Sequence, residues 1–179
     1  MKVQWSHSVI RVRDLEAMVS FYTDTFGFEV ADRGLLGPEG PKIVFLSGSP
    51  TDHHQIAFSP TRSEDEASSL DHMAFRVDSV SEVRDAFERV SADERASGVM
   101  PLTHGNAISV YFHDPEKNGI EIFCDTPWHV KQPQLKKWDP ALSDEEVLAY
   151  VENKFCDADE FKPMEEYRAE RARHFDESS

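Results

Sequence analysis

The sequence predicts an α+β fold, in which two similar modules of strand, helix and further strands are followed by a helical C-terminal tail. Three observations predict it. HSVIRV at 7–12 and HMAFRV at 72–77 both read His-x-x-apolar-Arg-Val, at an offset of 65 residues. Each is followed by a stretch whose apolar residues fall at helical spacing. Each of those stretches runs on into alternating or wholly apolar segments suited to strands. A repeat of this size forms two similar units that bury apolar faces by packing.

The elements follow in order. Side chains alternate along a strand, so His7, Val9 and Arg11 face one way and Ser8, Ile10 and Val12 the other. Asp14 is a fitting N-cap for a helix carrying Leu15, Met18, Val19, Tyr22 and Phe26 on one face. FEVADR at 28–33 has room for a short extra strand, and LLGPEGP punctuates the chain before KIVFLS and HHQIAF. In the second module His72, Ala74 and Arg76 face away from Met73, Phe75 and Val77. Val80, Val83, Phe87 and Val90 mark its helix, and AISVYF and GIEIFC its later strands. The modules span about 3–60 and 68–126, within a domain at 1–130.

Residues 131–179 form an acidic helical extension. From Ala141 onward there are 12 acidic and 5 basic residues. SDEE at 143–146 fits a capping box of Ser143 and Glu146, ahead of Val147, Leu148, Val151 and Phe155 on one face. Pro163 stands where a second helix, MEEYRAERARHF, begins. Such a helix pair is expected to pack on the domain or on a neighbouring subunit.

The bulk numbers exclude several classes. A net charge of −15 lacks the basic stripe that a phosphate backbone requires, so nucleic acid is not an expected partner. No apolar run approaches the ~20 residues that cross a bilayer, and MKVQWSHSVI has no h-region of a secretory signal. Two cysteines, Cys124 and Cys156, make neither a disulfide framework nor a zinc-finger spacing. A cytoplasmic protein with no membrane partner is expected.

The chemistry is expected on the face opposite the apolar rows, where His7 and His72 occupy matching places in the repeat. Glu121 lies between Ile120 and Ile122, a costly place for a charge unless it is paired or bound to metal. His7, His72 and Glu121 are therefore a candidate two-histidine, one-carboxylate set, which leaves three positions open on an octahedral metal and suits non-haem Fe(II). The plain alternative is two core histidines and a glutamate at a strand end.

HSVIRVRDLEAMVSFYTDTFGFEV, DHHQIAF, DHMAF and HGNAISVYFHDPEKNGIEIF together resemble the vicinal oxygen chelate superfamily, over roughly residues 3–130. Within it they are most similar to the one-domain, type I extradiol ring-cleaving dioxygenases. The resemblance implies paired βαβββ modules, Fe(II) held by His7, His72 and Glu121 (Mn(II) accepts the same set), and a catechol and O2 as substrates. A homo-oligomer is expected. The resemblance also makes His54 the acid-base group facing the substrate, suited to it by an imidazole that titrates near neutrality. His53, its neighbour on the strand, is then directed away. Tyr111 is implied as a hydrogen-bond donor near the substrate oxygens, and His104 as a second pocket histidine.

The chain departs from the family in two places. The THGN loop is about two residues short, which bears on the orientation of His104. Lys117 stands where glycine is usual, so the turn ahead of Glu121 is expected to use Asn118-Gly119 instead. Two other functions compete. A metal-dependent glyoxalase-like lyase or isomerase would draw a further carboxylate from the HHQIAF strand, which has none. A metal-free binding protein of the bleomycin-resistance kind would have no use for two histidines and a glutamate about one point.

Overall fold

The computed structural model describes residues 3–177 and divides into two compact units. The first is Met1–Asp71 with the segment Asp114–Asn118, and the second is His72–His113 with Gly119–Ser179. Unit 1 runs β1 (Ser8–Arg11), α1 (Leu15–Phe26), β2 (Glu29–Leu35), β3 (Lys42–Ser47) and β4 (Ile56–Ser59). Its sheet order is β1-β4-β3-β2, with β1 parallel to β4 and the other pairs antiparallel. Unit 2 repeats this with β5 (His72–Arg76), α2 (Val80–Ala92), β6 (Ser97–Thr103), β7 (Ala107–His113) and β8 (Gly119–Asp125). Here β5 is parallel to β8, in the order β6-β7-β8-β5. Both units are thus βαβββ, the arrangement the family resemblance implies, and the short extra strand expected within 28–33 is a full strand, β2, that begins at Glu29.

Local chemistry accounts for the helices. Asp14 accepts a hydrogen bond from the Ala17 amide, and Gly27 closes α1 in the left-handed conformation at φ 68°. Leu15, Met18, Val19 and Tyr22 are buried, and the Tyr22 ring meets Phe58 of β4 edge-on at 4.9 Å. In unit 2, Ser79 caps α2, and Val80, Val83 and Val90 are buried. Strand alternation also holds: Ile10 and Val12 are buried, while Val9 and Arg11 are exposed.

The extension belongs to unit 2. β10 (Lys136–Lys137) adds to the edge of β6. Arg84 of α2 then grips the chain, donating to the carbonyls of Pro140 and Leu142 and to Asp144 at 2.7–3.0 Å. α3 (Asp144–Phe155) begins with both hydrogen bonds of the Ser143–Glu146 capping box and buries Val147, Val151 and Phe155. β9 (Trp128–His129) pairs with β11 (Lys162–Pro163), and α4 (Met164–Glu177) follows. Arg168 of α4 reaches Asp125 at 2.7 Å, and Tyr167 stacks on His129 at 3.7 Å. Among the described residues no helix is long and apolar enough to cross a membrane.

Two local expectations are corrected. The HHQIAF segment is not a strand throughout, because β4 begins only at Ile56. A bend held by Ser47 Oγ donating to the Asp52 carbonyl, and by Gln55 Oε1 accepting from the Gly48 amide, carries His53 and His54 instead. The turn ahead of Glu121 is likewise not shifted to Asn118-Gly119, because Lys117 itself holds the left-handed conformation at φ 67°. Asp114 forces it there: its Oδ1 accepts from the amides of Glu116 and Asn118, and its carbonyl accepts from the Lys117 amide. Burial raises the Asp114 carboxyl above its ordinary range, against the lowering effect of these hydrogen bonds.

A left-handed residue with a Cβ costs ~1–2 kcal/mol, and glycine returns part of that gain through the entropy of the unfolded chain. Lys117→Gly is therefore expected to stabilise the protein by about 0.5–1 kcal/mol, seen as a higher urea midpoint at unchanged slope. An unchanged or lower midpoint would show that the turn bears no such strain.

Candidate functional site

In unit 2 three neighbouring strands bring the expected groups to one face. β5 and β8 pair with Ala74 opposite Glu121, so His72, two residues before Ala74, shares Glu121's face. β7 and β8 pair with Tyr111 opposite Glu121, which adds Tyr111 and, two residues along, Ser109. The side chains meet accordingly. His72 Nε2 lies 3.4 Å from Glu121 Oε2, and Ser109 Oγ donates to Oε1 at 2.6 Å. The His72 ring stands edge-on to Tyr111 at 5.4 Å. Glu121 is 7% exposed, and the groups nearest its carboxylate include two imidazoles: His72, and His104, whose Nε2 lies 3.9 Å from Oε1.

These donors fit a divalent metal. Two ligands each ~2.1 Å from one ion and at right angles lie ~3 Å apart, close to the separation between the His72 nitrogen and the free Glu121 oxygen. Ser109 occupies the other carboxylate oxygen and orients the group, so Oε2 is the oxygen that would be available to a metal. Within either unit, among the described residues, no three His, Cys, Asp or Glu side chains form a metal cluster. Unit 2 supplies two of the expected donors, and the third, His7, belongs to unit 1.

His104 also falls in the unit 2 group. Its Nε2 is 3.0 Å from the Tyr111 hydroxyl, and its Nδ1 is 2.7 Å from the Gln134 carbonyl. The shortened loop is closed by His104 and Thr103 both donating to the Ala107 carbonyl. It turns at Gly105, φ 82°, where an added Cβ would strike Val130 and Phe155.

In unit 1, His7 stands just ahead of β1 and His54 two residues ahead of β4, and the parallel register of those strands brings their rings within 4.2 Å. Ser6 Oγ lies 3.1 Å from His7 Nδ1. His54 packs edge-on against Phe45 at 4.8 Å. His53 is not directed away. Its Nδ1 is 2.9 Å from His54 Nδ1, and its Nε2 is 2.8 Å from Asp32 Oδ2. Strand alternation does not govern the pair because both precede β4. A carboxylate only accepts, so the neutral His53 ring donates through Nε2 to Asp32 and accepts at Nδ1. His54 then donates through Nδ1 and keeps Nε2 bare. Desolvation lowers the His54 pKa from its ordinary value, and repulsion from His7 and then His53 adds to this.

The sequence pattern left out Ser109 and Asp32 as partners of these groups. The alternation of AISVYF places Ser109 beside Tyr111, so the first was legible. Asp32 depends on a register shift in the pairing of β2 with β3 between Val30 and Asp32, which the pattern does not reveal.

With this geometry in view, residues 4–122 match the Glyoxalase/Bleomycin resistance protein/Dioxygenase superfamily, and the chain belongs to that superfamily. It is 22% identical over 138 residues to metapyrocatechase of Pseudomonas sp. (strain CF600), covering 76% of this chain and 44% of that one. It is 27% identical over 126 residues to biphenyl-2,3-diol 1,2-dioxygenase 3 of Rhodococcus globerulus, covering 67% of this chain and 62% of the relative. The chain thus spans about half the length of these curated relatives. Among solved structures it shares its fold with the fosfomycin resistance protein FosX of Listeria monocytogenes, complexed with Mn(II) and sulfate. The TM-score is 0.55 at 24% identity, over 70% of this chain and 95% of FosX.

Proposed function

We propose that the protein is an Fe(II)-dependent extradiol dioxygenase that opens the ring of a catecholic substrate with O2. His7, His72 and Glu121 are the proposed metal ligands, and His54, Tyr111 and His104 the proposed catalytic groups. The observation that carries this reading is the buried Glu121 carboxylate, tied at one oxygen by Ser109 and facing His72 Nε2 with the other. It stands in a superfamily whose curated relatives of this chain carry the names of catechol-type ring-cleaving enzymes. Fe(II), when bound, supplies Lewis acidity and the one-electron capacity that dioxygen chemistry requires. Mn(II) accepts the same donors.

The chain's own residues do the rest. The bare Nε2 of His54 is suited to take a proton from a catechol hydroxyl, and Asp32 and His53 hold the ring in the tautomer that leaves it bare. Desolvation, and then repulsion from His7 and His53, hold the His54 pKa below its ordinary value and so favour the neutral ring. Tyr111 and His104 present a polar edge beside Glu121 for the substrate oxygens. The glyoxalase-like alternative is disfavoured at one position. Ala57 pairs with Val9 as Glu121 pairs with Ala74, and so occupies the place of Glu121 in the first module without offering a carboxylate.

A spectrophotometric screen of catechols, with Fe(II) and ascorbate present, tests the proposal. At least one catechol should give a yellow ring-fission product, and that catechol should perturb the anaerobic Fe(II) protein before O2 is added. Metal that responds only to thiol conjugates, with no ring-fission product from any catechol, would sink it.

A further inference from the structure

We infer that the C-terminal extension is a working part of the site: its segment Gln132–Gln134 fixes the tautomer of His104 and thereby the direction of the His104–Tyr111 hydrogen bond. The use of that bond in ring cleavage rests on the proposed dioxygenase reading, whereas the tautomer does not.

His104 is gripped at two points. Gln132 Nε2 donates to the His104 carbonyl at 2.8 Å, and the Gln134 carbonyl faces His104 Nδ1 at 2.7 Å. The Gln132 side chain joins these points, because its Oε1 accepts from the Gln134 amide at 3.0 Å. It also donates to Val130 O and to Asn106 Oδ1, at 3.2 Å each. The extension then closes over the same loop, with Phe155 of α3 set against Gly105 and Lys136 Nζ 5.4 Å from the Phe155 ring centre. Gln134 itself is tied by its amide to Gln132 Oε1 and by its side-chain amide to the Lys131 carbonyl at 3.1 Å.

The carbonyl of Gln134 can only accept. In the neutral ring Nδ1 therefore carries the hydrogen, and Nε2 is the acceptor. The one hydrogen between His104 Nε2 and the Tyr111 oxygen, 3.0 Å apart, must then come from the phenol. The chain of bonds runs from Tyr111 O–H to Nε2, and from Nδ1–H to the Gln134 carbonyl. With its hydrogen committed to His104, the Tyr111 oxygen meets a substrate hydroxyl as an acceptor. Gln132 and Gln134 are positioning residues in this scheme, since they act through His104.

Ring-nitrogen NMR on the full-length 15N-labelled chain without added metal tests the inference, with the His104 signals assigned by their loss in His104→Gln. The wild-type protein should show His104 protonated at Nδ1 and bare at Nε2. Gln132→Ala should average that pattern toward a mixture of tautomers. Gln132→Glu, which keeps an acceptor for the Gln134 amide but loses the donor to His104, should do the same. Lys131→Ala, whose side chain pairs with Glu160 instead, should leave the pattern alone. Kinetics on the same variants, reconstituted with Fe(II) and ascorbate, should show kcat reduced roughly tenfold in the Gln132 variants with KM little changed, the usual scale for a partner that orients a site residue. A proton on Nε2 in the wild type, or an unchanged single tautomer in both Gln132 variants, would overturn the inference. A wild-type protein with the expected tautomer that cleaves no catechol would instead overturn the dioxygenase reading.

Discussion

Glu121→Gln is expected to abolish both metal binding and ring cleavage while leaving the metal-free fold intact. The amide keeps the volume of the carboxylate, and its oxygen can still accept from Ser109, so the packing of β7, β8 and β5 around it survives. What disappears is the anionic oxygen facing His72 Nε2 at 3.4 Å. The readout is thermal. A ligand at a hundredfold excess over its Kd stabilises the native state by about 2.7 kcal/mol, which in a chain of this size raises Tm by roughly 5–10 °C. Addition of Fe(II) or Mn(II) should give the wild type a rise of that order and the variant none. His72→Ala should behave alike, and His7→Ala should also lose metal and activity. Stoichiometric iron and normal turnover in Glu121→Gln would remove the carboxylate from the ligand set.

The fold was legible because it repeats. HSVIRV and HMAFRV announced matching strands, and the alternation within them separated Ile10 and Val12 from Val9 and Arg11 as the structure does. The caps at Asp14 and Ser143 were legible for a local reason: each hydrogen bond closes within three residues of chain. Likewise, strand periodicity alone placed His72 and Glu121 on the face away from their apolar neighbours, whereas Tyr111 came from the family resemblance and its place opposite Glu121 from the register of β7 and β8.

What failed was local geometry imposed from a distance. Glycine preference argued against a left-handed Lys117, yet the buried Asp114 side chain holds the turn there, with Tyr22 of α1 donating to its other oxygen. Strand alternation argued for opposed His53 and His54, but the hydrogen bonds of Ser47 and Gln55 delay β4 until Ile56. The grip on His104 was illegible for a third reason. Gln134 lies 30 residues further along the chain, and no periodic pattern connects a main-chain carbonyl to a ring nitrogen across that separation.

The bend that defeated alternation changes what is expected of its two histidines. His54→Gln should leave metal content near that of the wild type and lower turnover by ~10²–10⁴-fold, the usual contribution of a general acid-base group. Its pH profile should change in a defined direction. An imidazole whose pKa is lowered stays neutral, and able to accept a proton, below the ordinary His value of about 6.5. In the wild type kcat/KM should therefore hold down to about that pH and fall only as His54 becomes protonated below it. The variant should lose this acid limb. His53→Gln and Asp32→Asn remove the groups that keep the His54 Nε2 bare, and they do not remove the base. Both partners are exposed, with side chains 59% and 68% accessible, so water can replace part of their effect. A loss of about tenfold is expected for each, with the acid limb retained. Single-turnover kinetics across pH 5 to 8 on the three variants would decide it. If His54→Gln ran within twofold of the wild type with its acid limb intact, the base would have to be sought at His104, whose Nε2 accepts from Tyr111 in the same neutral form.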